Sequence, residues 1–203
     1  MKIFLLLFIL FSTILNALTI IGDTVTGIDG YADGHLVIPT GITTIGVHAL
    51  NSTYLDTISL PDTLQTIQRS GFEDSWSLQS ITIPSSVNYI GDNAFQDCYN
   101  LSGNVTISSN VSYLGNNAFN DCSSLNSVTF ENGLTHIYDQ TFINNTSLNS
   151  VLLPSSLEHI GINAFRNTAI EIISIPENVS LIGWSAFENC TSLTSIYFEG
   201  NAP

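Results

Sequence analysis

Asp97 and Cys98 stand side by side at the end of the stretch SVNYIGDNAFQDC, residues 86–98. A thiol beside a charged group is the raw material of nucleophilic catalysis, in which a neighbouring base yields a thiolate that attacks a carbonyl. A hydrolase of that kind needs one unique thiol with its base at hand. Cys98 instead has counterparts in Cys122 and Cys190, and the carboxylate that precedes the first two, Asp97 and Asp121, gives way to Asn189 before the third. Asp74, Asp97 and Asp121 also recur at regular intervals, which raises a calcium-binding stripe. Calcium takes about six to eight oxygen ligands, and the same series continues as Asn144, Asn167 and Asn189, where amides replace the charges. A third series is Tyr89, Tyr113, His136 and His159. Two imidazoles begin a metal site, but a closed one needs a third and fourth ligand, and only Glu158 is near in sequence.

All three series fall into register when the chain is aligned on its large apolar anchors. These are Leu50, Phe72, Phe95, Phe119, Phe142, Phe165 and Phe187, spaced by 22, 23, 24, 23, 23 and 22 residues. Upstream of each anchor lies a short apolar strand, closed in five tiles by Pro39, Pro61, Pro84, Pro154 or Pro176. In one such strand Leu78, Ile81 and Ile83 alternate with Ser80 and Thr82, the period of two that turns one face inward. Val87 and Ile90 then form a second short extended piece, Gly91 relaxes the backbone for a turn, and Asn93-Ala94-Phe95 is expected as a helical or 3₁₀ turn. A lone tile buries too few apolar side chains to offset the entropy of ordering it. Stacked tiles share those faces, so the expected fold is α/β leaning to β: a right-handed solenoid of seven tiles of about 23 residues with a partial eighth.

In a solenoid each series becomes a column. The column three residues past the anchor accepts Cys, Ser, Thr and Asn alike, which asks for a small side chain, buried or hydrogen-bonded at a turn. Cys98 and Cys122 lie on neighbouring tiles, leaving a disulfide open, although parallel stacking tends to misalign the Cβ vectors. Asp and Asn two residues past the anchor suit a backbone in the left-handed region.

Three Lys+Arg stand against seventeen Asp+Glu, a net charge of −14. Such a chain cannot displace the counterions of a polyphosphate, so nucleic acid is excluded as a partner. The N-terminus has one lysine, Lys2, then an apolar run from Ile3 to Leu15, shorter than the roughly 20 residues a bilayer requires. Residues 1–17 are therefore expected to be a signal peptide, with an uncleaved anchor reaching Ile21 as the alternative. Residues 18–34 form a lead-in or cap, and residues 35–203 the solenoid. The chain is expected to be truncated there, because the stretch IYFEGNAP stops one strand into a tile.

The complete tile ITIPSSVNYIGDNAFQDCYNL resembles the BspA-like class of leucine-rich repeats. Leu50 for phenylalanine, Gln68 and Tyr138 for glycine, and Ser108 for proline depart from that pattern. The resemblance implies a secreted or cell-surface protein that acts by adhesion and protein binding. The function expected is therefore non-catalytic binding of a protein or surface glycan, without cofactor, resident metal or membrane partner beyond the signal segment. A purely structural or end-to-end self-assembling scaffold, an ice-binding solenoid and a hydrolase are the alternatives. Two faces are candidates. One is the stripe of Tyr89, Tyr113, His136 and His159. The other is the outer face of the first strands, with Thr82, Thr106, Thr129, Leu152 and Tyr197.

Overall fold

A computed structural model describes residues 17–29 and 33–201. The signal-peptide segment therefore lies outside the described residues, apart from Ala17 at its end. Ala17–Ile21 and Thr24–Asp29 form an antiparallel hairpin at the start of the solenoid. The second of these strands pairs in parallel with Thr44–Ile45, and the pairing continues through Thr66–Ile67, Tyr89–Ile90 and Tyr113–Leu114. A separate parallel set joins His136–Ile137, His159–Ile160 and Leu181–Ile182. Each coil thus adds a two-residue second strand whose isoleucine or leucine points into the core.

The first strands form a second wall in three pieces. Asp33–Val37 pairs with Tyr54–Ser59, Gly103–Ile107 pairs with Leu125–Phe130 and through it with Ser150–Leu152, and Ile172–Ile175 pairs with Ser195–Phe198. The breaks follow the length changes. Where the tile with one extra residue carries Ser102-Gly103-Asn104, Gly103 takes φ +82° and its N–H bonds forward to Asn126 Oδ1 rather than back. Ser80–Ile83 is left with one bridge, Thr57 to Ser80, instead of a strand.

The expected α component is replaced by turns: among the described residues there is no helix. The reason is a pair of left-handed residues four apart in every coil, for example Asn93 (φ 56°) and Asp97 (φ 60°). Each sits third in a four-residue turn, closed by Ala94 N–H to Gly91 O (3.3 Å) and by Cys98 N–H to Phe95 O (3.3 Å). A positive φ at that position is the mark of a type II turn and stops helix propagation. The intervening amides are not wasted. Asn93, Phe95 and Asp97 donate to Asn116, Ala118 and Asn120 of the next coil at 2.8–2.9 Å, so the segment's N–H groups are all paired.

The anchors stack inside as a phenylalanine ladder. Phe72, Phe95, Phe119, Phe142, Phe165 and Phe187 lie 4.9–5.5 Å apart with interplanar angles of 12° or less. Offset stacking of this kind adds to the burial of the rings themselves. Glycines beside the second strands let the coils approach: a Cβ on Gly115 would lie 2.5 Å from the Asp92 nitrogen.

Candidate functional site

The thiols and most of the carboxylates of the turns are taken up by the scaffold. Cys98, Cys122 and Cys190 are free and buried. Each donates its S–H to the anchor carbonyl of the preceding coil: Phe72 O at 3.2 Å, Phe95 O at 3.1 Å and Phe165 O at 3.1 Å. Ser75 makes the same bond to Leu50 O at 2.9 Å, and Asn145 to Phe119 O at 2.8 Å. That shared donor role is why the column accepts Cys, Ser and Asn. Burial pushes the Cys122 thiol well above its ordinary pKa, the opposite of what a nucleophile requires. The Asp/Asn column occupies the left-handed turn position throughout, at φ 59° for Asp74 and Asp121 and 64° for Asn144. Among the described residues no three His, Cys, Asp or Glu side chains converge as metal ligands, and no helix is long and apolar enough to cross a membrane.

The Tyr/His stripe is brought together on the second-strand wall. Tyr89 and Tyr113 are paired in register with rings 4.9 Å apart and nearly parallel, and His136 and His159 are paired with rings 4.4 Å apart, edge to face. Tyr113 and His136 do not pair directly. Tyr138, which stands where most coils have glycine, fills the gap: its ring lies 5.0 Å from that of Tyr113 and 5.8 Å from that of His136. The parallel ladder stops at this point. Gln68 also replaces the glycine yet keeps its backbone bond to Ile45 O at 2.9 Å, so the inserted ring rather than the Cβ separates the coils.

The result is a run of five rings over four coils, with Tyr89 exposed and the others half-exposed. The Tyr113 hydroxyl donates to Asp92 Oδ1 at 2.8 Å, and burial together with this acceptor raises its pKa. Tyr113 therefore stays a neutral donor, while the ring nitrogens of the histidines supply both donors and acceptors.

The first-strand face is less coherent. Thr106, Thr129 and Leu152 are in register on one sheet, whereas Thr82 lies outside any strand and Tyr197 pairs with Ser174 in a separate sheet. Much of its polarity is used internally: Ser127 and Thr129 donate to Asn104 Oδ1 at 2.9 and 3.2 Å, and Asn104 Nδ2 donates to Thr106 at 3.1 Å.

Sequence reasoning missed a further exposed aromatic set. Tyr54, Trp76 and Tyr99 each stand four residues past an anchor on consecutive coils, with exposures of 45%, 43% and 43%. Tyr54 and Trp76 meet edge to face at 6.2 Å. Aligning that position alone would have shown it.

A family model described as a BspA type leucine rich repeat region matches residues 34–144 and 102–202, in six copies. Among solved structures, a leucine rich cell surface protein from Faecalibacterium prausnitzii is 29% identical, with a TM-score of 0.78 over 88% of this chain and 50% of that one. A leucine-rich repeat protein from Bacteroides ovatus is 25% identical, with a TM-score of 0.62 over 82% of this chain and 55% of that one. The T. pallidum leucine rich repeat protein, 22% identical with a TM-score of 0.61 over 84% of this chain and 82% of that one, shares the fold. The chain thus spans about half the length of the first two of these structures. No curated protein matches it significantly. With repeat tiles, ladders and core agreeing with that match, the chain belongs to the BspA-type leucine-rich repeat family.

Proposed function

We propose that the chain is a non-catalytic binding module, exported to the cell surface, that docks a protein partner through the stripe from Tyr89 to His159. The observation that carries this reading is the side-by-side array of tyrosine and histidine rings at the surface, spanning four coils. Aromatic side chains pre-set by stacking supply contact area at low entropic cost and dominate protein interfaces. The signal segment expected over residues 1–17 and the cell-surface description of the Faecalibacterium relative support export.

The test uses substitutions that the column already contains. Thr44 and Thr66 occupy the stripe position on earlier coils, so Tyr89→Thr, His136→Thr and His159→Thr together should leave the melting temperature within a few degrees. Capture of labelled surface proteins from cells of the source organism's own surroundings should be lost. Unchanged capture would overturn the proposal.

A further inference from the structure

We infer that the edge of the solenoid beyond the left-handed turns holds a second site, a groove for a neutral oligosaccharide, separate from the stripe. Four residues past the anchor the first three coils carry Tyr54, Trp76 and Tyr99, but the next four carry Ser123, Thr146, Ala169 and Thr191. Replacing rings by small side chains opens a groove of about 610 Å³, with Tyr99 at one end and Asp121, Asn144, Asn167 and Asn189 among its lining.

On the closed coils the aromatic residue engages the turn carboxylate: Trp76 Nε1–H donates to Asp74 Oδ1 at 3.3 Å, and the Tyr99 hydroxyl donates to Asp97 Oδ1 at 2.9 Å. On the open coils those side chains bond to one another. Asn144 Nδ2 donates to Asp121 Oδ2 at 3.1 Å, and Asn167 Nδ2 donates to Asn144 Oδ1 at 2.6 Å. This chain of amides orients its members and leaves polar capacity over. Asp121 Oδ1, Asn167 Oδ1, the Asn189 amide and the Thr146 and Thr191 hydroxyls make no side-chain hydrogen bond among the described residues.

The chemistry of this lining selects the ligand. It mixes fixed donors and acceptors, includes one carboxylate and no cation, and its only aliphatic side chain is the methyl group of Ala169. An anion has nothing to pair with there, and an apolar peptide side chain has no pocket to fill. A polyol satisfies both halves of each amide, and the exposed ring of Tyr99 offers a face to the C–H groups of a pyranose. Coils stacked as parallel strands repeat at about 4.8 Å, close to the length of one sugar unit in an extended chain. Successive hydroxyl pairs therefore meet successive coils.

The experiment is calorimetric titration of the folded chain with four neutral hexasaccharides: β-1,4-glucan, α-1,4-glucan, β-1,4-N-acetylglucosamine and β-1,4-mannan. At least one should bind saturably, with an affinity unchanged by added salt. Thr146→Trp extends the aromatic column into the groove at an exposed position, as Trp76 already does. It should weaken binding at least tenfold without changing the melting temperature, and Tyr99→Ala should weaken it by a similar factor. The stripe variant Tyr89→Thr/His159→Thr should bind sugar as the parent does, which separates this site from the protein-docking one. Failure of all four probes, binding that survives Thr146→Trp, or tighter binding of a sulfated hexasaccharide than of its neutral parent would overturn the inference.

Discussion

Removing one rung from the middle of the phenylalanine ladder should cost far more than removing one from its end. Phe119 is fully buried, with Phe95 at 4.9 Å on one side and Phe142 at 5.5 Å on the other. Truncating a buried phenylalanine to alanine costs about 3–5 kcal/mol, and the cost rises with how little the cavity can collapse. Rings held from both sides by hydrogen-bonded coils cannot close a gap along the axis. Two stacking contacts, each worth roughly 0.5–1.5 kcal/mol, are lost together. Phe119→Ala should therefore fall at the top of the range, about 5 kcal/mol. Phe187 is half-buried and has one ladder neighbour, Phe165 at 5.5 Å, so Phe187→Ala should cost about 2 kcal/mol. With a urea slope of about 2 kcal/mol per molar, the midpoints should drop by about 2.5 M and about 1 M respectively. Urea titration followed by circular dichroism measures both. Equal shifts would refute the view that stability is shared through nearest-neighbour coil contacts.

The donor column gives a second stability test. Cys98→Ser keeps a donor for Phe72 O and should cost under about 1 kcal/mol, whereas Cys98→Ala loses the bond and part of the packing, about 1–2 kcal/mol. Native Cys98 and Cys122 should also resist thiol reagents until the chain unfolds; fast labelling in the native state would contradict their burial. At high pH, Tyr99 is held protonated by its bond to Asp97, which raises its pKa from the ordinary 10 to about 12. A raised pKa contributes stability below pH 10 that is lost as pH climbs towards 12. Tyr99→Phe should flatten the stability profile in that window and remove one late-titrating phenolate from the absorbance titration. An unchanged profile would count against the bond.

The repeat was legible because its causes are local and recur. An anchor every 22–24 residues, alternation in the strands and Asp or Asn at the left-handed position all leave a mark in each tile. The donor column was half legible: its tolerance for Cys, Ser, Thr and Asn pointed to a turn, but the carbonyl it serves belongs to another coil. What stayed hidden depends on contacts between coils. Tyr138 reads as a lost glycine until its ring is seen between Tyr113 and His136. The extra residue at Gly103 reads as a loop insertion, yet it also unpairs Ser80–Ile83 from the following strand. The expected helical turn gives way to two tight turns because Asn93 and Asp97 both take positive φ, a pairing that residue types alone do not mark. The groove escaped because it is made by an absence of rings after Tyr99, which no single tile displays.

The central claim is that protein docking resides in the stripe from Tyr89 to His159 and not in the turn wall around Gln96. Site-specific photo-crosslinking tests it most directly. A benzophenone side chain is placed in separate variants at Tyr89, at His159 and, on the turn wall, at Gln96. The folded chains are then illuminated on labelled cells from the source organism's own surroundings. The account predicts one shared crosslinked protein from the Tyr89 and His159 positions and none from Gln96. Crosslinks from Gln96 alone, or equally from all three positions, would contradict it.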